Sequence, residues 1–205
     1  MVICLEFANT VDRRPTPAPV DRLTGYADLA GWAAGVGLLS PREARALADR
    51  ARRQPAATAE VMRQATRARE AIYRVISAVA SRRPPRSADL DVINAAVSAA
   101  QTWSRIAPRG GGFSRQWVGN RWALDRMLWP IAQSVEDLLT STELIAVREC
   151  AAPDCGRLFI DTSRNRIRRW CDMRACGNRA KVRRFYARRR VRRANPARRR
   201  SGGGR

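Results

Sequence analysis

Apolar residues recur at helical spacing through most of the first 147 positions. Leu29, Trp32, Ala33 and Val36 fall three and four apart behind Thr24, a candidate cap, and GVGLL closes that segment. Ser40-Pro41-Arg42-Glu43 joins a capping box to a proline at the first helical position, and predicts a second helix ending near Arg53. Pro55 separates it from a longer helix, Thr58 to about Val79. There Ala65, Ala68, Ile72, Val75, Ile76 and Val79 form one stripe and arginines take the other face. After the loop SRRPPR, Ser87 caps a helix that turns Leu90, Ile93 and Val97 inward. Ahead of all these, Leu5, Phe7 and Val11 make a small apolar set around Asn9 and Thr10, followed by the proline-rich loop RRPTPAPVDR.

The period changes between Thr102 and Arg121, where three glycines stand between short aromatic-bearing stretches. This predicts a β-hairpin with Trp103 and Trp117 paired across it. From Trp122 to Thr140 helical spacing returns, with Leu124, Met127, Leu128, Ile131, Val135, Leu138 and Leu139 marking a central core helix that Pro130 should kink. Thr142 to Ile145 extends as a shorter helix straight into Cys150, so the following segment should be docked on the helices. Arg157-Leu158-Phe159-Ile160 reads as a strand and Asp161-Thr162-Ser163 as a turn. The return leg, through Arg164, Arg166, Arg168 and Arg169 to Trp170, completes a ribbon-like hairpin with basic residues at and beyond its tip. Asn178 is a good N-cap for a last helix from Arg179 to about Arg193, whose Val182, Phe185 and Tyr186 form a strip able to pack on the preceding segment. The expected fold is mainly α. A helical N-terminal domain with one small β-hairpin (1–147) precedes a small four-cysteine, zinc-ribbon-like finger with a C-terminal basic helix (148–194) and a disordered basic tail (195–205).

Charge divides the chain in the same place. Forty basic residues against eighteen acidic ones give +22; from Arg148 onward there are twenty basic and four acidic, net +16, leaving +6 for residues 1–147. A coding bias toward arginine explains the single lysine, Lys181, but not the local excess over acid. Such a concentration points to a polyanion, nucleic acid ahead of an anionic membrane. No segment reads as a signal or membrane span, because the opening MVICLEFANTV lacks a basic start, contains Glu6 and is too short. A reducing, cytoplasmic location is expected.

Cysteine supplies the candidate chemistry. Cys150 and Cys155, then Cys171 and Cys176, form two Cys-x4-Cys pairs, each closed by a glycine, Gly156 or Gly177, where a tight turn around a bound sulfur often needs positive φ. The chain has no histidine, and its fifth cysteine, Cys4, stands far away as a candidate buried hydrophobe. Four thiolates are then the set that completes a tetrahedral zinc shell, against the duller reading of free or disulfide-bonded cysteines. Such a shell is closed, hence structural. Missing histidine also removes the commonest general base and the usual activation of Ser or Cys nucleophiles, so no catalytic residue is expected.

The run from Cys150 to Arg188, with FIDTSRNRIRRWCDMRACGNRAKVRRFYARR as its body, resembles the bacterial CGNR-type zinc finger, whose tetrapeptide stands here as Cys176-Gly177-Asn178-Arg179. LEFANTVD, followed by LTGYADLAGWAAGVGLL, resembles the opening of the ABATE domain that accompanies this finger in proposed stress-induced transcriptional regulators. The resemblance implies a helical domain for sensing or regulation joined to a zinc-dependent DNA-binding finger.

On these grounds the expected function is a DNA-binding transcriptional regulator, associated with the nucleoid. One structural zinc holds an arginine-rich loop and helix, and Arg164, Arg166, Arg168, Arg169, Arg179, Lys181, Arg183, Arg184 and Arg188 face duplex DNA. Arg179 and Arg183 are the first choices for reading bases. An RNA-binding or ribosome-associated protein is the alternative, since phosphate attraction does not separate the nucleic acids. Trp170 either stacks on a base or covers the metal site; Asn9 and Thr10 either line an effector pocket or serve a local turn. A homodimer is conceivable, but no heptad run supports one.

Overall fold

In a computed structural model the backbone is described over residues 1–194 and the side chains over 1–189; the expected disordered tail, 195–205, lies outside the described residues. Helices dominate. They are α1 (Ile3–Ala8), α2 (Tyr26–Gly35), α3 (Pro41–Arg52), α4 (Pro55–Ala80), α5 (Ser87–Gln101), α6 (Leu128–Leu139) and α7 (Asn178–Ala194). Three antiparallel pairs punctuate them: β1 (Val11–Asp12) with β2 (Val20–Asp21), β3 (Ser104–Arg109) with β4 (Gly112–Trp117), and β5 (Val147–Glu149) with β6 (Leu158–Ile160). No described helix is long and apolar enough to cross a membrane.

The capping box at Ser40 forms as expected: Glu43 N–H donates to Ser40 Oγ at 3.2 Å while Ser40 N–H donates to Glu43 Oε2 at 2.9 Å. Pro55 starts α4 instead of standing clear of it, because a first-turn residue has no backbone acceptor to lose. Gly25, not Thr24, is the N-cap of α2; Thr24 still serves the turn by donating to Asp28. Ser87 is likewise one residue inside α5, whose N-cap is Arg86.

The core gathers α1, α4 and α6, with Phe7, Ile72, Ile76, Ile131 and Val135 almost wholly enclosed. Cys4 is fully buried, and burial pushes its thiol up to about 11, as a small core hydrophobe requires. The arginine face of α4 has one exception. Arg69 is buried, where its guanidinium makes paired bonds of 2.7 and 2.6 Å to the Asp21 carboxylate. Two opposed forks of this kind keep a buried cation satisfied.

The central helix is shorter than its periodicity suggests. It begins at Leu128, so Pro130 falls in the first turn and no kink results; residues before it form turns that still bury Leu124 and Met127. The hairpin β3–β4 does form, but Trp117 faces Ser104. Trp103 and Trp117 meet through a third ring instead, Trp129 of α6, with centroids 5.2 and 6.2 Å away.

Beyond α6 a 3-10 turn (Thr142–Ala146) feeds β5, and β5 and β6 carry the first cysteine pair between them. The ribbon-like return leg is absent: residues 161–172 run as turns and extended loop without a strand. Asp161 explains this, since its buried carboxylate takes Ser163 N–H at 2.9 Å and Arg168 N–H at 2.8 Å, satisfying backbone that a ladder would otherwise use. The strip on α7 does not pack either; Val182, Phe185 and Tyr186 are 53%, 55% and 60% exposed.

Candidate metal centre and nucleic-acid interface

Two local devices bring the cysteines together. In the first pair, Cys150 N–H donates to Arg157 O at 2.9 Å and Cys155 N–H to Ala152 O at 3.1 Å, which folds the chain around the two sulfurs. Gly156 makes the exit possible: its φ is +69°, and a Cβ there would stand 2.8 Å from Pro15 Cδ and 3.2 Å from Tyr73 Oη. In the second pair the device is a π-type turn, Met173–Gly177, closed by Gly177 N–H on Asp172 O at 3.0 Å. Its i to i−5 bond matches the five-residue step from Cys171 to Cys176. Gly177 therefore needs no positive φ, contrary to expectation, and a Cβ there would press on Met173 at 3.1 Å.

The four Sγ atoms lie within 4.8 Å of one another, with Cys155 to Cys171 at 3.6 Å and Cys171 to Cys176 at 3.8 Å. Zinc–sulfur bonds of about 2.3 Å in a tetrahedron put sulfurs roughly 3.8 Å apart. The thiols thus fit one zinc ion, and among the described residues theirs is the one cluster of histidine, cysteine or carboxylate ligands of this kind. The neighbouring Cys171 thiol first, and the Arg157 N–H after it, push the Cys155 thiol below its ordinary value. The Arg179 guanidinium lies 3.2 Å from Cys176 Sγ and offsets part of the negative charge of a four-thiolate site. Trp170 and Phe159 pack against the cluster, so Trp170 covers the centre.

The last helix starts elsewhere than expected. Asn178 has helical φ and ψ and sits inside a continuous turn; the cap is Asp172, whose carboxylate accepts from Ala175 N–H at 2.8 Å. Aspartate is as good an N-cap as asparagine, and here the earlier of the two opens the turn that runs on into α7.

The nine basic residues expected at a nucleic-acid surface divide into two groups. Arg168 is drawn inward, donating to the carbonyl of Trp170 at 2.9 Å and to that of Cys171, with its guanidinium 5.1 Å over the Phe159 ring. Arg179 and Arg183 lean on Asp154, at 3.7 and 3.3 Å. Arg164, Arg166, Arg169, Lys181, Arg184 and Arg188 are exposed, and none has a carboxylate within 4 Å among the described residues.

Thr10 serves the local turn that was one of its two expected roles, whereas Asn9 does something the sequence did not suggest. Asn9 Nδ2 donates to Leu158 O at 2.8 Å and Leu158 N–H donates to Asn9 Oδ1 at 2.9 Å, so the side-chain amide pairs with β6 as a strand would. Thr10 Oγ1 donates to Phe7 O at 2.7 Å. Both border a shallow groove with Trp32 and Arg157, but their polar atoms are occupied in holding the fold. Tyr73 and Ser77 of α4 add to this junction: Tyr73 Oη lies 3.0 Å from Gly156 O, and Ser77 Oγ donates to Glu149 at 2.6 Å. The finger is seated on α1 and α4.

No curated protein matches the chain. Residues 146–189 match the CGNR zinc finger, and residues 2–142 match ABATE, described as a putative stress-induced transcription regulator. Both are regulator and zinc-finger types, not enzymes. The seated helical part, the closed four-thiol centre and the two matches meet at one conclusion: this chain belongs to the ABATE family and is a regulatory zinc-binding protein carrying a CGNR zinc finger.

Proposed function

We propose that the protein is a transcriptional regulator whose finger, residues 148–194, grips duplex DNA while the helical domain, residues 1–147, senses a signal. One observation carries this reading. The net charge is +16 from Arg148 onward against +6 for residues 1–147, and around the cysteines six exposed cations have no carboxylate within 4 Å among the described residues. Unpaired guanidinium groups on a rigid mount are what phosphate oxygens can bind, two hydrogen bonds at a time.

Zinc, when bound, ties together the two segments that carry the thiolates and leaves no coordination position for substrate. Cys171 and Cys176 set the start of α7 relative to the loop, and Arg168 stiffens that loop through its carbonyl bonds. Arg164, Arg166 and Arg169 then project from the loop while Lys181, Arg184 and Arg188 project from α7. A helix of this width fits the major groove, about 12 Å wide. Arg179 and Arg183 act first as supports, through Cys176 and Asp154.

RNA remains the second reading for a specific reason. Phe185 and Tyr186 are exposed among arginines, and such rings stack on unpaired bases. Full-length, zinc-loaded protein titrated against labelled duplex DNA, with structured RNA as competitor, separates the two. Preferential binding of duplex at physiological salt is the expected result, and preference for RNA refutes the regulator reading.

A further inference from the structure

Helices α4, α5 and α6 do not close completely on one another. They leave a cavity of about 340 Å³, within the roughly 300–1,000 Å³ range of small-molecule sites. Small residues open it: Ala68 on α4, Ala96 and Ala99 on α5 and Ala132 on α6 stand where larger side chains would fill the space. The floor is apolar and buried, made by Phe7, Ile72, Ile93, Ile131 and Val135.

The mouth has another character. Gln64, Arg67 and Asp91 are exposed there, with Asp125 beside them. Two carboxylates against one guanidinium reverse the sign of a chain whose net charge is +22. Asp89, two residues before Asp91 and so on another face of α5, is tied to Arg74, whereas Asp91 has no side-chain hydrogen bond or ion pair among the described residues. The Asp125 side chain accepts only from Trp129 Nε1, at 3.1 Å, again among the described residues. Charge stays at the solvated rim and apolar surface lies below, the division that an amphiphile's own two ends require.

We propose that this cavity binds a small amphiphilic amine, its apolar body among the isoleucines and its ammonium group at Asp91 and Asp125. The inference rests on the sensing reading of the helical domain and gives it a ligand class. Phe7 lies on α1, two residues before Asn9, which pairs with Leu158 of the finger. Ile72 adjoins Tyr73, which reaches the Gly156 carbonyl. An occupant therefore presses on residues adjacent to both seats of the zinc finger.

The test uses full-length, zinc-loaded protein and N-phenyl-1-naphthylamine, an uncharged fluorophore that brightens in apolar surroundings. A saturable signal is expected, with decylamine displacing the fluorophore at about tenfold lower concentration than decanoate, the ratio that ~1.4 kcal/mol of charge preference produces. Ala96→Phe should abolish the signal. Asp91→Asn combined with Asp125→Asn should make the two competitors equal, and these rim changes keep the test independent of whether the filled core folds. No saturable signal in the wild type, a full signal in a folded Ala96→Phe protein, or decanoate competing as well as decylamine would overturn the assignment. Duplex affinity is measured separately with and without decylamine. If decylamine binds and the affinity is unchanged, the sensing reading falls and the ligand site stands.

Discussion

Asn9 shows how one side chain can stand in for a strand. A carboxamide offers a donor and an acceptor at the spacing of a peptide unit, and here both meet the backbone of Leu158 in a buried place. Removing the amide strands a buried N–H and a buried carbonyl at once, and each such group costs about 1–3 kcal/mol. Asn9→Ala should therefore destabilise the protein by about 2–4 kcal/mol in urea unfolding, with faster hydrogen exchange at Leu158. A loss under about 1 kcal/mol would mean that the seat is held mainly elsewhere. Gly156 works by the same economy of space, since any side chain there meets Pro15 and Tyr73 as well as an unfavourable φ.

At the scale of elements, the starts of α3 and α7 show caps of two kinds. Ser40 and Glu43 cap α3 reciprocally, and Ser40→Ala should cost about 1 kcal/mol by thermal or urea denaturation. Glu43 adds a pH dependence. The Ser40 N–H first, then the Arg126 guanidinium, hold its carboxyl down to about 2 from an ordinary 4.5. A lowered acid stabilises the folded state fully above the unfolded value and loses that contribution as pH falls through the folded one. Wild-type stability should thus decline between pH 4.5 and about 2, and Glu43→Gln should make that decline shallower. The second cap, Asp172 on the π-type turn, was missed because the turn's geometry is set by the need to bring Cys171 and Cys176 together.

The whole molecule is a helical body with a metal-held finger seated on it. So small a finger has little core of its own, and metal binding at such centres contributes on the order of 10 kcal/mol to folding. Cys171→Ser should abolish zinc binding and unfold residues 148–189 while the core of α1 to α6 stays protected in hydrogen exchange; a mutant that keeps both zinc and finger would refute the ligand set. Binding to duplex should be steeply salt-dependent. If about six phosphates are neutralised, log K against log salt should fall with slope of roughly −5. Salt-insensitive binding, or binding unchanged by chelation, would contradict a role for the metal-held arginines.

Composition and spacing were enough to pick out the four cysteines that the fold brings together and the segment that carries the charge. Two close cysteine pairs in a chain without histidine leave one all-thiol set, and periodicity marks the stripe of α4 because side-chain spacing is a local property. Contacts between distant residues left no such mark. That Arg69 turns inward to Asp21 and that Asn9 pairs with Leu158 depend on partners brought close only by the fold. The same holds for the cavity under Asp91, since an alanine in a helix records nothing of the space beside it until neighbouring helices define its walls.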